Sequence, residues 1–183
     1  LFICILMRGF QLGSYNKMIR DTLKSTTGHV QLVSPEYRKL ISLDYSIQLS
    51  DSVSSYLKAN PNIKQTVTRL ESICLASTGT RTKIARVTGG DMPTEDSLIG
   101  ISKNLISGEM LKNDENSVII GAGLASYLRS EIGDTIILYG SGYHGTTAAN
   151  VYPIKGIVKF PLPMMNNSVI YLPITQAQQL FRA

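Results

Sequence analysis

The spacing of hydrophobic positions changes along the chain, and each spacing predicts a different element. The first seven residues, LFICILM, are all apolar, and apolar residues then recur at positions 12, 15, 19 and 23. This spacing is helical, and no proline interrupts it through residue 27. Seven apolar residues are far fewer than the roughly 20 that span a bilayer. We interpret residues 1–27 as the end of a transmembrane helix that continues into a stalk. The alternative is a plain N-terminal helix packed on the core.

Alternating apolar and polar positions predict strands after this helix. GHVQLVS (28–34) has strand composition, and segments 66–78 and 80–89 alternate like two strands joined around Gly79. Between them, Ser50-Asp51 is typical of a helix N-terminus, and this helix is predicted to end at Ala59. The first half of the chain therefore predicts the order strand, helix, strand, strand.

Gly89-Gly90-Asp91 marks a break, after which the pattern is more mixed. Residues 94–116 carry only weak helical signals. The predicted elements that follow are a strand (117–121), a short helix (about 123–130), a strand (135–139), a glycine-rich loop (140–150) within a long hairpin, a linker (160–167), a strand (168–173) and a helix that begins with a capping box at Thr175 and Gln178.

Composition indicates a folded protein without a nucleic-acid partner. Of the 183 residues, 43% are hydrophobic and 17% charged, as in a globular domain. The net charge is +5, but the 18 Lys and Arg form no run of five or more, and the chain has no tryptophan. Stacking platforms for bases are therefore not predicted. The densest basic cluster, Arg81, Lys83 and Arg86, is interpreted as a solvated face of a strand.

One stretch resembles a nucleotide-binding turn, namely Gly121 to Ser126 after an apolar strand. A dinucleotide site needs a full crossover helix and an acidic residue about 20 positions further on, and neither is present here. Gly121 and Gly123 are therefore interpreted as positions where the backbone turns sharply and the helix packs close to its strand. A soluble nucleotide-binding enzyme that uses these two glycines stays as a lesser alternative.

No other pattern indicates catalysis or a cofactor. The two His and two Cys residues do not have the spacing of a zinc site, and no nucleophile elbow is present. We therefore predict no enzyme activity, no cofactor and no metal. Tyr143 and His144 lie together in the loop 140–150, where such side chains often serve partner contact, and we take them as a candidate contact pair. Loop filling is the alternative.

Several segments, taken in order, resemble a known family. They are GHVQLVSPEY (28–37), LISGEML (105–111), SVIIGAGLASYLRSEIGDTIILYG (117–140), YPIKGIVKF (152–160) and SVIYLPITQAQQLF (168–181). Their order and spacing resemble the extracytoplasmic domain of ABC-transporter permeases of the MacB/LolC/LolE type. In that family a V/I-V/I-I/L-G-x-x-L-A-x-x-L segment, matched here by residues 118–128, precedes G-D-x-I/L, V-x-G-I and A-Q-x-L motifs. Each motif alone is weak.

The resemblance implies an α+β fold: a mixed, porter-like α/β subdomain with an inserted β-rich subdomain, preceded by the helical stalk. The boundaries we expect are 1–27 for the membrane helix end and stalk, 28–89 for the first porter-like part, 90–164 for the insertion and 165–183 for a truncated return segment. In the family, further strands and a helix complete the porter part. An unpaired strand edge is therefore expected in this chain.

The resemblance also implies a mechanical function. Such domains transmit ATP-driven motion across the membrane to cargo or a periplasmic partner, in lipoprotein release or export. The implied partners are an ABC ATPase subunit or domain, a second permease subunit in a homo- or heterodimer, and a periplasmic protein or lipoprotein cargo. The implied location is the inner membrane, with this domain facing the periplasm or the cell exterior. The alternative from related permeases is an interaction module that regulates a cell-wall enzyme.

Overall fold

A computed structural model of the protein describes residues 2–25, 30–37 and 42–183. The chain divides into two compact units, Leu1–Leu32 and Val33–Ala183. The first unit contains one long helix, α1 (Phe2–Ser25), whose side chains from Phe2 to Tyr15 are exposed. Among the residues described, no helix combines the length and the apolar character that crossing a membrane requires. The predicted helix is confirmed in the described range, and its origin in a transmembrane segment stays a prediction.

The second unit is built from short helices and longer strands. In chain order, its regular elements among the described residues are α2 (Asp51–Ala59), β1 (Arg69–Ser77), β2 (Thr82–Gly90), α3 (Met92–Ile99), β3 (Leu105–Gly108), β4 (Val118–Gly121), α4 (Ala122–Leu128), β5 (Thr135–Ser141), β6 (Thr147–Val158), α5 (Pro163–Ser168), β7 (Val169–Pro173) and α6 (Ile174–Phe181). As predicted, Ser50 caps α2, because its hydroxyl accepts a hydrogen bond from the Val53 N–H.

The seven strands of the described residues belong to one sheet, in the order β3-β6-β4-β7-β2-β1-β5. Strand β5 also pairs along its whole length with the first half of β6, so that six strands close into a ring and β3 lies outside it on β6. The pairs β2–β7 and β4–β6 are parallel, and the other pairs are antiparallel. Closure is possible because β6 has 12 residues, enough to pair with β5 first and with β3 and β4 afterwards.

The inside of the strand ring holds the main hydrophobic core. Alternate residues of the ring strands point inward, among them Ala76, Val87, Ile120, Leu138 and Tyr152. Helices α4 and α6 add Leu124 and Leu128, and Ala177 and Phe181, to the same cluster. Each of these nine side chains is at most 1% exposed, so the ring is a packed core rather than a channel.

A second core lies on the outer face of part of the sheet. Strands β4, β6 and β7 present their other set of side chains there, and α3, α5 and the loops beside them cover these side chains. The members of this core include Ile119, Val158 and Tyr171 from the strands and Met92 and Met165 from the helices. Burial raises the pKa of the Tyr171 hydroxyl. Strand β4 therefore has a different core on each face.

Several local predictions are corrected by the structure. Residues 30–34 form no strand, and residues 28–29 lie outside the described range. The loop 140–150 is shorter than expected, because β5 and β6 extend into it and leave only residues 142–146 between them. The linker 160–167 contains the start of helix α5. Helix α6 begins one residue before Thr175, whose hydroxyl donates to the Asn113 carbonyl instead of capping the helix.

Strand edges are unpaired at more than one place in the described part of the chain. Strand β3 pairs with β6 alone, and residues 69–73 of β1 pair with β2 alone. Strands from the segments 28–89, 90–164 and 165–183 all join the same sheet. The mixed helix and strand content is as predicted, whereas the division into a porter-like part and an insertion stays a prediction.

Candidate partner-contact surface

The turn between β5 and β6 carries both predicted contact residues at its tip. Gly142 N–H donates to the Thr146 carbonyl at 2.7 Å, and Thr146 N–H donates back to the Tyr143 carbonyl at 3.1 Å. Tyr143 is half-buried, whereas the His144 side chain is 71% exposed. Their rings meet edge to face, with centroids 4.0 Å apart. The structure thus brings the two side chains together on one tight turn.

The backbone of this turn is constrained at two positions. His144 has φ +52° and ψ +33°, a left-handed conformation that costs a non-glycine residue about 1–2 kcal/mol. Gly142 lies against the end of α6, and a Cβ atom there would sit 2.5 Å from the Phe181 carbonyl oxygen. The left-handed conformation of His144 persists only when neighbouring contacts hold it.

One residue that holds the turn was not found from the sequence. Asp44 lies in a short 3-10 helix, Leu43–Tyr45, and its Oδ1 accepts a hydrogen bond from the His144 backbone N–H at 2.6 Å. The two residues are 100 positions apart, so no local motif links them. The β5–β6 pairing sets the position of the turn, and the burial of Leu43 in the core sets that of Asp44.

An open apolar face adjoins the turn. Outward side chains of β2, β1, β5 and β6 are 41–64% exposed here, and they are Ile73, Leu75, Ile84, Ile137, Tyr139 and Val151. Ile84, Leu75 and Tyr139 face one another across three strands. A shallow groove of about 480 Å³ extends from this face to the turn, and none of the described residues that line it is charged. Exposed apolar surface without charge is typical of contact regions.

The glycine turn at β4 and α4 is filled by protein. The backbone of Asn166 in α5 lies against Gly121, where a Cβ atom would come within 2.8 Å of the Asn166 carbonyl carbon. Gly123 lies equally close to the side chain of Asn167. The space in which a phosphate would face the start of α4 is therefore taken by α5. The glycines thus permit close packing, but of α5 against the start of α4 rather than of α4 against β4, and neither glycine has a positive φ.

The basic cluster is less solvated than predicted. Arg81 Nη1 donates to the Tyr127 carbonyl at 2.8 Å, and Lys83 Nζ lies 4.8 Å from the centroid of the Tyr127 ring. Both cations thus fix the end of α4 to the β1–β2 hairpin. They form part of the packing.

Metal ligands and reactive thiols are not assembled in the described part of the chain. No group of three or more His, Cys, Asp or Glu side chains in that part could hold a metal ion. Burial raises the pKa of the Cys74 thiol to about 12, so that it stays protonated, whereas Cys4 is exposed on α1. His29 lies outside the described residues.

Comparison with known proteins gives the family. The model of the MacB-like periplasmic core domain matches residues 1–183. The chain belongs to this family. It is therefore related to the periplasmic domains of MacB-type ABC transporter permeases, as the sequence motifs indicated. No curated protein matches the chain with significance.

Two solved structures share the fold of this MacB-like domain. The extracellular domain of the noncanonic ABC-type transporter YknZ from Gram-positive bacteria matches with a TM-score of 0.55 and 17% identity, over 74% of this chain and 67% of that one. The periplasmic region of MacB from Actinobacillus actinomycetemcomitans matches with a TM-score of 0.54 and 14% identity, over 82% of this chain and 65% of that one. The chain thus spans about two thirds of the length of each.

Proposed function

We propose that this chain is the extracytoplasmic domain of an ABC transporter permease and transmits ATP-driven motion to cargo or to a periplasmic partner. The observation that carries the proposal is the match of the MacB-like periplasmic core domain to the whole of residues 1–183. Two solved domains of such transporters with the same fold support it. In this proposal the chain is not an enzyme, because ATP is hydrolysed by a separate ATPase subunit or domain.

The proposal gives α1 a membrane-proximal position. Its first residues expose Phe2, Ile3, Ile5, Leu6 and Met7, all at least 57% accessible to solvent. Exposed apolar side chains around a helix are unfavourable in water and favourable against lipid. We infer that residues 1–27 are the end of a transmembrane helix and a stalk, and that the protein resides in the inner membrane with the second unit facing the periplasm or the cell exterior.

The remaining partners follow from the same proposal. A second permease subunit, identical or related, completes the transporter, and lipoprotein release or export is the class of transport. Tyr143 and His144 at the β5–β6 turn form the contact with a periplasmic protein or cargo. The exposure of His144 and the adjoining groove, which no charged residue lines in the described part of the chain, support this role.

Co-purification tests the proposal. The complete protein, tagged at its C-terminus, is extracted from membranes with detergent, purified and assayed for hydrolysis of Mg-ATP. We expect an ABC ATPase to co-purify and to hydrolyse ATP, and replacing the phosphate-binding lysine of that ATPase to abolish the activity. Recovery of the tagged protein in the soluble fraction, without an ATPase, contradicts the proposal. Recovery with a cell-wall hydrolase and no ATPase favours the regulatory alternative.

A further inference from the structure

We infer that Asp44 is a positioning residue: its carboxylate clasps the β5–β6 turn and holds Tyr143 and His144 as one pre-organised contact surface. The biological meaning of this inference rests on the proposed contact role of the two residues. The hydrogen bond and its effect on the turn do not rest on that role, because the clasp lies wholly within the second unit and is measurable without a partner.

The first step concerns the hydrogen bond itself. The His144 N–H donates to a carboxylate oxygen at 2.6 Å, and bonds to an ionised acceptor are stronger than bonds between neutral groups. The second carboxylate oxygen accepts from the Ser42 hydroxyl at 3.1 Å. The Ser42 hydroxyl in turn accepts from the Asp44 N–H, which fixes the orientation of the carboxylate. Both ends of the clasp are therefore set before any partner arrives.

The second step concerns how the clasp is anchored. Leu43, next to Asp44, is 8% exposed and belongs to the core that fills the strand ring, together with Phe181. Gly142, at the base of the turn, lies against the Phe181 carbonyl. The turn is thus held between the end of α6 on one side and residues 42–46 on the other. Because Leu43 is buried, Asp44 has little freedom to move away from the turn.

The third step concerns strain. His144 occupies a left-handed conformation that is unfavourable for a side-chain-bearing residue, and it is the residue that Asp44 binds. Without the clasp, the turn relaxes toward conformations in which the His144 and Tyr143 rings separate. With it, the exposed imidazole and the half-buried phenol ring are presented together. A partner then binds without ordering this turn first, which favours affinity.

Hydrogen exchange on the full chain in detergent micelles tests the clasp. The readout is deuterium uptake of the peptide that covers residues 142–147. We expect Asp44→Ala to raise the uptake rate about tenfold or more, since a hydrogen bond to a charged acceptor is lost. Asp44→Asn keeps a side-chain oxygen at the same place but loses its charge, so its uptake rate should lie between those of the wild type and Asp44→Ala. Asp51→Ala removes an exposed carboxylate in the first turn of α2 and is the matched control, with no change expected at the turn.

The same experiment separates loss of the clasp from loss of the fold. Uptake at the buried positions Ile136 and Tyr152 in β5 and β6 should be unchanged in Asp44→Ala. Equal uptake at the turn in wild type and Asp44→Ala overturns the inference. It is also overturned if uptake rises equally over both strands, because the turn then opens only with the whole hairpin. None of these outcomes depends on a partner. The exchange experiment therefore stands even if the co-purification experiment contradicts the proposed function.

Discussion

The outer face of the sheet is covered along β4, β7 and the second half of β6, and α3 also covers the start of β1 and the end of β2. It is open along the first half of β2, the second half of β1, β5 and the first half of β6. On the covered part, α3 and α5 bury Ile119 and Tyr171 almost completely. On the open part, Ile84 and Tyr139 are 64% and 53% exposed, although their residue types are equally apolar. An apolar residue type in a strand therefore does not by itself predict whether its side chain is buried.

The boundary between the two parts lies on β1. Arg69 points outward under α3, where its Nε donates to Glu95 Oε1 at 2.5 Å, and Ile73 and Leu75 further along the same strand face solvent. Glu95 is fully buried. Burial is the largest single influence on Arg69 and opposes its charge, but the hydrogen bond to Glu95 and the charges of Glu95 and Glu71 together outweigh it and raise the pKa of the guanidinium. This ion pair holds α3 against the outer face of the sheet. Among the described residues, no helix covers Leu75 in this way.

The sharpest test of the comparison uses two neighbouring isoleucines of β5. Ile136 is 0% exposed and faces the ring interior, and Ile137 is 41% exposed on the open face. Ile136→Ala should lower the free energy of unfolding by about 3–4 kcal/mol, because it leaves a cavity, whereas Ile137→Ala should cost less than about 1 kcal/mol. Urea denaturation followed by circular dichroism measures both. Equal losses contradict the assignment of the open face.

The next largest effect is expected at the ion pair that borders the covered part. Glu95→Ala leaves the charge of Arg69 partly buried without its closest partner, which should cost about 3 kcal/mol. Asp114→Ala removes the same charge from an exposed position and should change the free energy of unfolding by less than about 0.5 kcal/mol. Urea midpoints of the two variants give the comparison. A loss below 1 kcal/mol for Glu95→Ala shows that α3 does not depend on the pair.

A smaller effect is expected where α5 packs against the start of α4. In Gly121→Ala the new methyl group meets the backbone of Asn166, which should cost about 2 kcal/mol through a forced backbone shift. Thermal unfolding measures the loss, with Gly13→Ala in α1, where nothing lies within 4 Å, as the control.

Calorimetry of the wild type with NAD and with ATP should give no binding heat. Micromolar binding of either nucleotide, lost on Gly123→Val, supports the nucleotide-binding alternative instead.

The smallest effect concerns the two thiols. A maleimide reagent at pH 8 should label Cys4 and leave Cys74 unmodified in the native chain, since the raised pKa keeps the buried thiol protonated. Because the folded pKa, about 12, exceeds the ordinary value of 9.0, the contribution of Cys74 to stability is full below pH 9 and decreases as pH rises toward 12. Mass spectrometry counts the labels. Labelling of both cysteines under native conditions contradicts the buried position of Cys74 in β1.

Local patterns predicted most of the elements of the second unit. The hairpin of β1 and β2, the short helix after β4 and the cap of α2 by Ser50 all follow from residues close in sequence. The start of β6 was missed because Thr147, Ala148 and Ala149 are typical of a loop, and pairing with β5 makes them a strand. The hairpin itself was predicted, but how far the pairing of β5 and β6 extends toward the turn was not visible in the residue types of this segment.

The candidate site was predicted only in part. Tyr143 and His144 stood out as aromatic and imidazole side chains in a glycine-rich turn, and the structure brings them into ring contact. Asp44 was missed because its contact spans 100 positions. The sequence did contain one sign of the open face. Four consecutive residues of β5 are apolar, so this strand is apolar on both faces, which is typical of a strand that is covered on both sides. These residues are Ile136, Ile137, Leu138 and Tyr139.

The central claim, that the second unit faces the extracytoplasmic side of the membrane, is tested most directly by labelling in spheroplasts. The complete protein carries Thr135→Cys, an exposed position at the start of β5, in a Cys4→Ser background in which the buried Cys74 stays unlabelled. The same protein without Thr135→Cys gives the background labelling. The account predicts that a membrane-impermeant maleimide labels this cysteine in intact spheroplasts as fully as after lysis. Labelling that appears only after lysis contradicts the account, because it places the strand ring on the cytoplasmic side.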